Sequence, residues 1–155
     1  MKKSASLIAG MALMLAVAGC NGYDKTAYSA TLKQALEVPP SGAPETGTFN
    51  LTFNGPVAEW TLTIGGAGLT NVTAAHIHQG AVGVAGAVYV FLYDGPTATI
   101  TSLKGSFIAE TITACTGTCF ATRSYADLQA QVAAKTAYVN VHTVALAGGA
   151  IRGNF

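Results

Sequence analysis

The chain has 155 residues, 50% of them hydrophobic but only 10% charged, with a formal net charge of +1; an average soluble domain is roughly 25% charged. That balance excludes a basic face for nucleic acid and a charged interaction tail. Eighteen glycines in a Thr- and Ala-rich body predict strands joined by tight turns, and the length allows one domain with its own core but not two.

Residues 1–19 read as an export signal. Met1–Lys3 is a short basic start, and Leu7–Val17 is an uncharged apolar run. It is too short for the ~20 residues that cross a bilayer, but it suits a cleaved signal peptide. The run ends in Val17-Ala18-Gly19-Cys20, which resembles a bacterial lipobox, so Cys20 is expected to carry the lipid. Acyl chains on one cysteine anchor firmly, because each buried CH2 contributes about 0.8 kcal/mol. Asn21 follows the cysteine, not the Asp that favours inner-membrane retention, so a cell-envelope site at the outer membrane is expected. Residues 20–27 then form a short linker, and residues 28–155 form the domain, held close to the membrane surface.

Period-2 alternation dominates the rest. Tyr28–Leu36 reads as a first strand, stopped by Pro39-Pro40. Thr48–Asn54 and Val57–Ile64 flank Asn54-Gly55, a strong hairpin signal, and put Ala58, Trp60, Leu62 and Ile64 on one buried face. Val72–His78 and Ala87–Tyr93 follow, separated by Gly80, Gly83 and Gly86, and another strand pair is expected around Ser102–Thr113. Ser124-Tyr-Ala-Asp127 resembles a capping box for one short helix to about Lys135, with Leu128, Val132 and Ala133 on its apolar stripe. Ala137–Thr143 and Ala150–Phe155 return to strand. About eight short strands with Gly- and Pro-rich turns predict an all-β, antiparallel β-sandwich or Greek-key-like domain.

Once Cys20 is lipidated, Cys115 and Cys119 remain, with Gly117 supplying a turn between them. In an oxidising compartment a local disulfide is the expected state. A metal or redox role is the alternative, though zinc wants four ligands and a thioredoxin-like pair is spaced C-x-x-C.

All three histidines follow the signal. His76 and His78, at i and i+2, project from one face of a strand, with Ile77 on the other. In Ala137–Thr143, Val139 and Val141 face one way, while Tyr138, Asn140 and His142 face the other. Both strands thus turn aliphatic residues inward and histidine outward, and pairing them would make three imidazoles converge near the Gly80–Gly86 loop. Neutral imidazoles that converge suit copper or zinc, with protons competing below about pH 6. The other reading is that the three rings hydrogen-bond Thr, Asn and backbone. All three methionines lie in the signal, which leaves out a thioether-ligated blue-copper site.

Leu36-Glu-Val-Pro-Pro40, Ala74-Ala-His-Ile-His-Gln-Gly80 with Gly83 and Gly86, Tyr138–Thr143 and Gly149-Ala-Ile-Arg-Gly153 occur in that order. Together they strongly resemble the chordin-type (CHRD) domain family, over about Tyr28 to Phe155. The resemblance implies an all-β domain of the kind found in animal chordin, a secreted antagonist of bone morphogenetic proteins, and in bacterial exported proteins. The chain departs from it in the Cys115–Cys119 insert and at Ala150, where an acidic residue is common. The resemblance also gives sense to Glu37 and Arg152, each inside a family motif. A last strand beside the first would let Arg152 hold Glu37 by two parallel hydrogen bonds.

These readings point to a membrane-anchored binding or interaction module outside the cytoplasm, with membrane lipid as one partner and an unknown protein or small ligand as the other. A surface lipoprotein that binds copper or zinc through His76, His78 and His142 is the second reading. An enzyme is not expected. The comparison with copper–zinc superoxide dismutase fails because that enzyme holds its two metals with more histidines than this chain has, and no Gly-x-Ser-x-Gly elbow or paired carboxylates appear.

Overall fold

The computed structural model describes residues 24–108, 112 and 124–155. The export signal, Cys20 and the Cys115–Cys119 pair lie outside the described residues. The order of elements is β1 (Lys25–Lys33), a 3-10 turn (Gln34–Leu36), β2 (Thr46–Asn54), β3 (Val57–Ile64), β4 (Leu69–Gln79), β5 (Val88–Tyr93), β6 (Ala98–Ile100), β7 (Ser102–Ile108), α1 (Tyr125–Ala133), β8 (Ala137–Thr143) and β9 (Ile151–Asn154). No helix among the described residues is long and apolar enough to cross a membrane.

The strands belong to one sheet in the order β5-β4-β8-β9-β1-β2-β3-β7, with β6 also beside β4. Every pairing is antiparallel. The expected all-β antiparallel domain with one short helix is therefore present, and its layers are parts of a single wrapped sheet. Its near-closure comes from Thr101, the one residue between β6 and β7. β6 pairs with the first half of β4 and β7 pairs with β3, while Thr101 accepts a hydrogen bond from Ile64 N at 2.8 Å.

Alternation drives the core. Phe49, Leu51 and Phe53 of β2 and Ala58, Trp60, Leu62 and Ile64 of β3 all point inward, and the residues between them are exposed or half-buried. Phe49 stacks on Trp60 with ring centroids 6.0 Å apart and planes 23° apart. Each such side chain withdrawn from water contributes about 1.5–3 kcal/mol. The loop between β2 and β3 is Gly55-Pro56, with Asn54 paired to Val57 and Gly55 at φ 57°. Glycine thus takes the first central position, as in a type II′ turn.

Three expectations are corrected. The first strand ends at Lys33, because the carbonyl of Gln34 turns to accept from Glu37 N and Ser41 N, drawing Gln34–Leu36 into a 3-10 turn. The later strands begin at Ala98, and β6 and β7 pair with β4 and β3 rather than with each other, while the expected end near Thr113 lies outside the described residues. On α1 the third apolar contact is Tyr125, since Ala133 is exposed and Tyr125, Leu128 and Val132 are buried. The helix start agrees with its capping box: the Ser124 side chain accepts from Asp127 N at 3.0 Å.

Candidate metal centre

β4 and β8 pair directly, with Ala74 opposite His142, His76 opposite Asn140 and His78 opposite Tyr138. Ala75, Ile77, Val139 and Val141 turn into the common core. The alternate residues His76, His78, Tyr138, Asn140 and His142 consequently share the outer face of the sheet. On the far side of β4, β5 presents Phe91 opposite His76 and Val88 opposite His78, with register shifts at Leu92 and Tyr89. Such bulges bend a strand and re-aim its side chains.

An outer face would ordinarily be wet, yet His76 is 9% exposed and His78 7%. The reason is a roof made by the loop between β4 and β5. Arg152 of β9 donates from Nη2 to Ala81 O and Val84 O, both at 2.9 Å. Gly86 N donates to the Tyr138 hydroxyl at 3.2 Å, and Asn154 Nδ2 donates to Gly80 O at 3.1 Å. Gly86 is required where the loop returns, because a Cβ there would overlap the carbonyl oxygen of Gln79.

The three imidazoles converge as expected. Ring centroids are 5.4 Å apart for His76–His78, 5.0 Å for His76–His142 and 6.2 Å for His78–His142. One nitrogen from each ring lies within 4.8 Å of the others. Two nitrogens about 2.0–2.1 Å from one tetrahedral ion would be roughly 3.3 Å apart, so side-chain rotation must close the set slightly.

The hydrogen bonds sort the donors. His78 Nδ1–H donates to Gly86 O at 2.9 Å, which leaves Nε2 buried and without a partner. His142 Nδ1 lies 2.9 Å from Ala147 O and its Nε2 lies 3.1 Å from Asn140 Oδ1, both of them acceptors, so the neutral ring donates to one of the two. Both nitrogens of His76 are buried without a partner. At His78, a carbonyl that fixes Nδ1–H and leaves Nε2 free is the arrangement that orients a histidine for a metal. The alternative in which the rings only hydrogen-bond the fold leaves three buried nitrogens unexplained.

Burial holds the rings neutral further into acid than their type implies. Desolvation, with the neighbouring histidines adding to it, lowers His76 to about 3. Desolvation lowers His78 to about 4 against the opposing bond to Gly86, and lowers His142 in the same direction. The lone pairs of His76 and His78 therefore stay free of protons well below the pH 6 expected from an ordinary imidazole.

Glu37 and Arg152 come into one region but not into the expected bidentate pair. β9 does lie beside β1, with Arg152 opposite Lys33. Glu37 and Arg152 are 5% and 1% exposed, but Arg152 spends Nη2 on the roof carbonyls, and both Arg152 Nε and Glu37 Oε1 lack a partner. Desolvation raises Glu37 to about 7, against the nearby Arg152 charge and the Asn140 side chain. The sequence reading missed Tyr138, whose ring stacks on His78 at 4.7 Å, and Phe91, edge-on to His76 at 4.6 Å. The period-2 pattern did put Tyr138 on the histidine face, which was the available signal. A surface hollow of about 610 Å3 lies elsewhere, over β2, β3 and β7, and contains none of these residues.

The model of the CHRD domain matches residues 28–155. No curated protein and no solved structure matches the chain.

Proposed function

The chain belongs to the CHRD domain family, and on that premise we propose that it is a binding module of the cell envelope whose ligand is a copper or zinc ion held by His76, His78 and His142. The reading is of a binder and not an enzyme, in keeping with the family. Lipid on Cys20 anchors it, with the outer membrane as the site. One observation carries the metal: three ring nitrogens of His76 and His78 are buried without partners, while a backbone carbonyl holds Nδ1 of His78. Leaving a buried polar atom unpaired costs about 1–3 kcal/mol, and an ion that takes one nitrogen from each ring removes that cost at His78 and at one of the two His76 nitrogens.

The test is the metal content of full-length protein extracted from membranes, wild type against His76→Ala. The expected result is one ion per wild-type chain and a large loss in the variant. Equal, negligible metal in both removes the reading.

A second reading, docking of a protein partner, is favoured by apolar exposure beside the site: Val82 is 70% exposed, Val84 52% and Phe91 43%. Crosslinking in intact cells through residue 82 would recover one partner if this face docks, and only abundant neighbours if it does not.

A further inference from the structure

The surroundings of the three rings discriminate between ions. We infer that the site is selective for the monovalent cuprous ion over divalent zinc or cupric ion, an inference that rests on reading the cluster as a metal site.

Charge is the first reason. The cost of moving an ion from water into a poorly polarisable site grows with the square of its charge, so a divalent ion costs about four times as much as a monovalent one of similar size. A divalent site usually offsets that cost with carboxylates or thiolates. Here the clustered donors are His76, His78 and His142, all neutral, and no Asp, Glu or Cys among the described residues joins them. Glu37, the buried acid of this region, is not among the clustered donors. The Arg152 charge beside the site repels a divalent ion twice as strongly as a monovalent one. The Arg152 guanidinium carbon lies 3.4 Å from the Tyr138 ring centre, and that ring stacks on His78.

Coordination is the second reason. The site supplies three donors, whereas structural zinc takes four ligands and catalytic zinc adds water to three. The space around the donors is walled by rings, with Phe91 edge-on to His76 and Tyr138 flat against His78. The unpartnered nitrogens of His76 and His78 are shut off from solvent. A divalent ion must give up its waters to enter and finds no fourth side chain. Cuprous copper is content with two or three ligands and carries half the charge. Imidazole accepts either oxidation state of copper, so charge and coordination number make the choice.

The experiment uses full-length protein, titrated anaerobically with Cu(I) against a chromophoric Cu(I) chelator, and separately with Zn(II) and Cu(II) against their own chelators. The expected result is one Cu(I) per chain, bound at least 100-fold more tightly than either Zn(II) or Cu(II). For copper, a 100-fold preference raises the reduction potential of the bound couple by about 120 mV, at 59 mV per tenfold for one electron. His142→Gln, at the half-exposed rim, should weaken Cu(I) at least tenfold with an unchanged circular dichroism spectrum. Zinc or Cu(II) bound as tightly as Cu(I) overturns the selectivity and leaves the metal site standing. Folded protein that binds none of the three overturns both readings. Cu(I) binding that both His142→Gln and His76→Ala leave intact overturns the assignment to these rings.

Discussion

The guanidinium of Arg152 lies over the ring of Tyr138, its carbon 3.4 Å from the ring centre, and the other face of the stack is His78, parallel to Tyr138 within 7°. The same guanidinium ties down Ala81 O and Val84 O. One side chain from the last strand thus fixes the roof of the site and one wall, without touching a ligand nitrogen.

Arg152→Lys tests that role. A lysine keeps the charge, but its single ammonium cannot hold both carbonyls and also cover the ring. We expect about 1–3 kcal/mol lower stability, a rise in amide hydrogen exchange confined to residues 81–86, and metal affinity weakened about 10–100-fold. Unchanged exchange in the loop would show that the roof is held by something else.

The metal-free protein should be made more stable by losing a ligand. His76 buries two nitrogens with no partner, so His76→Leu removes unsatisfied polar atoms and adds apolar contact with Phe91. Chemical denaturation should show a gain of about 1–2 kcal/mol. The variant should also lose any stabilisation by added metal, which in the wild type follows from binding the folded state alone.

Acid should destabilise the fold in a window set by the histidines. Their pKa values, about 3 for His76 and about 4 for His78, lie below the ordinary 6.5. Between those limits the unfolded chain binds more protons, so stability falls as pH drops from 6.5 toward 4. Glu37 acts with the opposite sign. Its carboxyl is raised from 4.5 to about 7, so the folded state holds the extra proton, and stability is lost as pH rises from 4.5 through 7. Glu37→Gln should therefore gain on the wild type as pH rises from 5 to 8, and denaturation midpoints across that range measure it.

Gly86→Ala should damage the site and spare the core. Its Cβ would overlap the Gln79 carbonyl, whereas at Gly42 a Cβ meets nothing within 4 Å. The backbone of residue 86 must shift and take its bond to His78 Nδ1 with it. We expect a stability loss above about 1 kcal/mol and weakened metal binding, with Trp60 emission in the folded state unchanged. Gly42→Ala serves as the neutral control.

The legible part of this molecule is what alternation records. Period 2 put Leu62 and Trp60 inside and His76, His78 and His142 together on the other face, because a pleated strand leaves no choice about side. That pattern says nothing about what covers an outer face. The roof over the histidines is held by the carbonyls of Ala81, Val84 and Gly86, and a carbonyl has no letter in the sequence. The same holds for Arg152, which does lie within reach of the Glu37 charge. Its hydrogen bonds, however, go to main-chain oxygens. The near-closure through Thr101 was hidden because it depends on β4 pairing at both ends, with β6 first and β5 later.

The position of β9 governs when this protein can be finished. Its four residues lie between β8 and β1 in the sheet, and among the described residues they follow the other strands of this domain. A polypeptide delivered N-terminus first, from a ribosome or across a membrane, must keep the facing edges of β1 and β8 open until Ile151–Asn154 arrives. Arg152 arrives with them, so the roof over His78 is the last part to lock. A partly delivered chain therefore cannot capture an ion in a completed site, and loading waits for the whole domain.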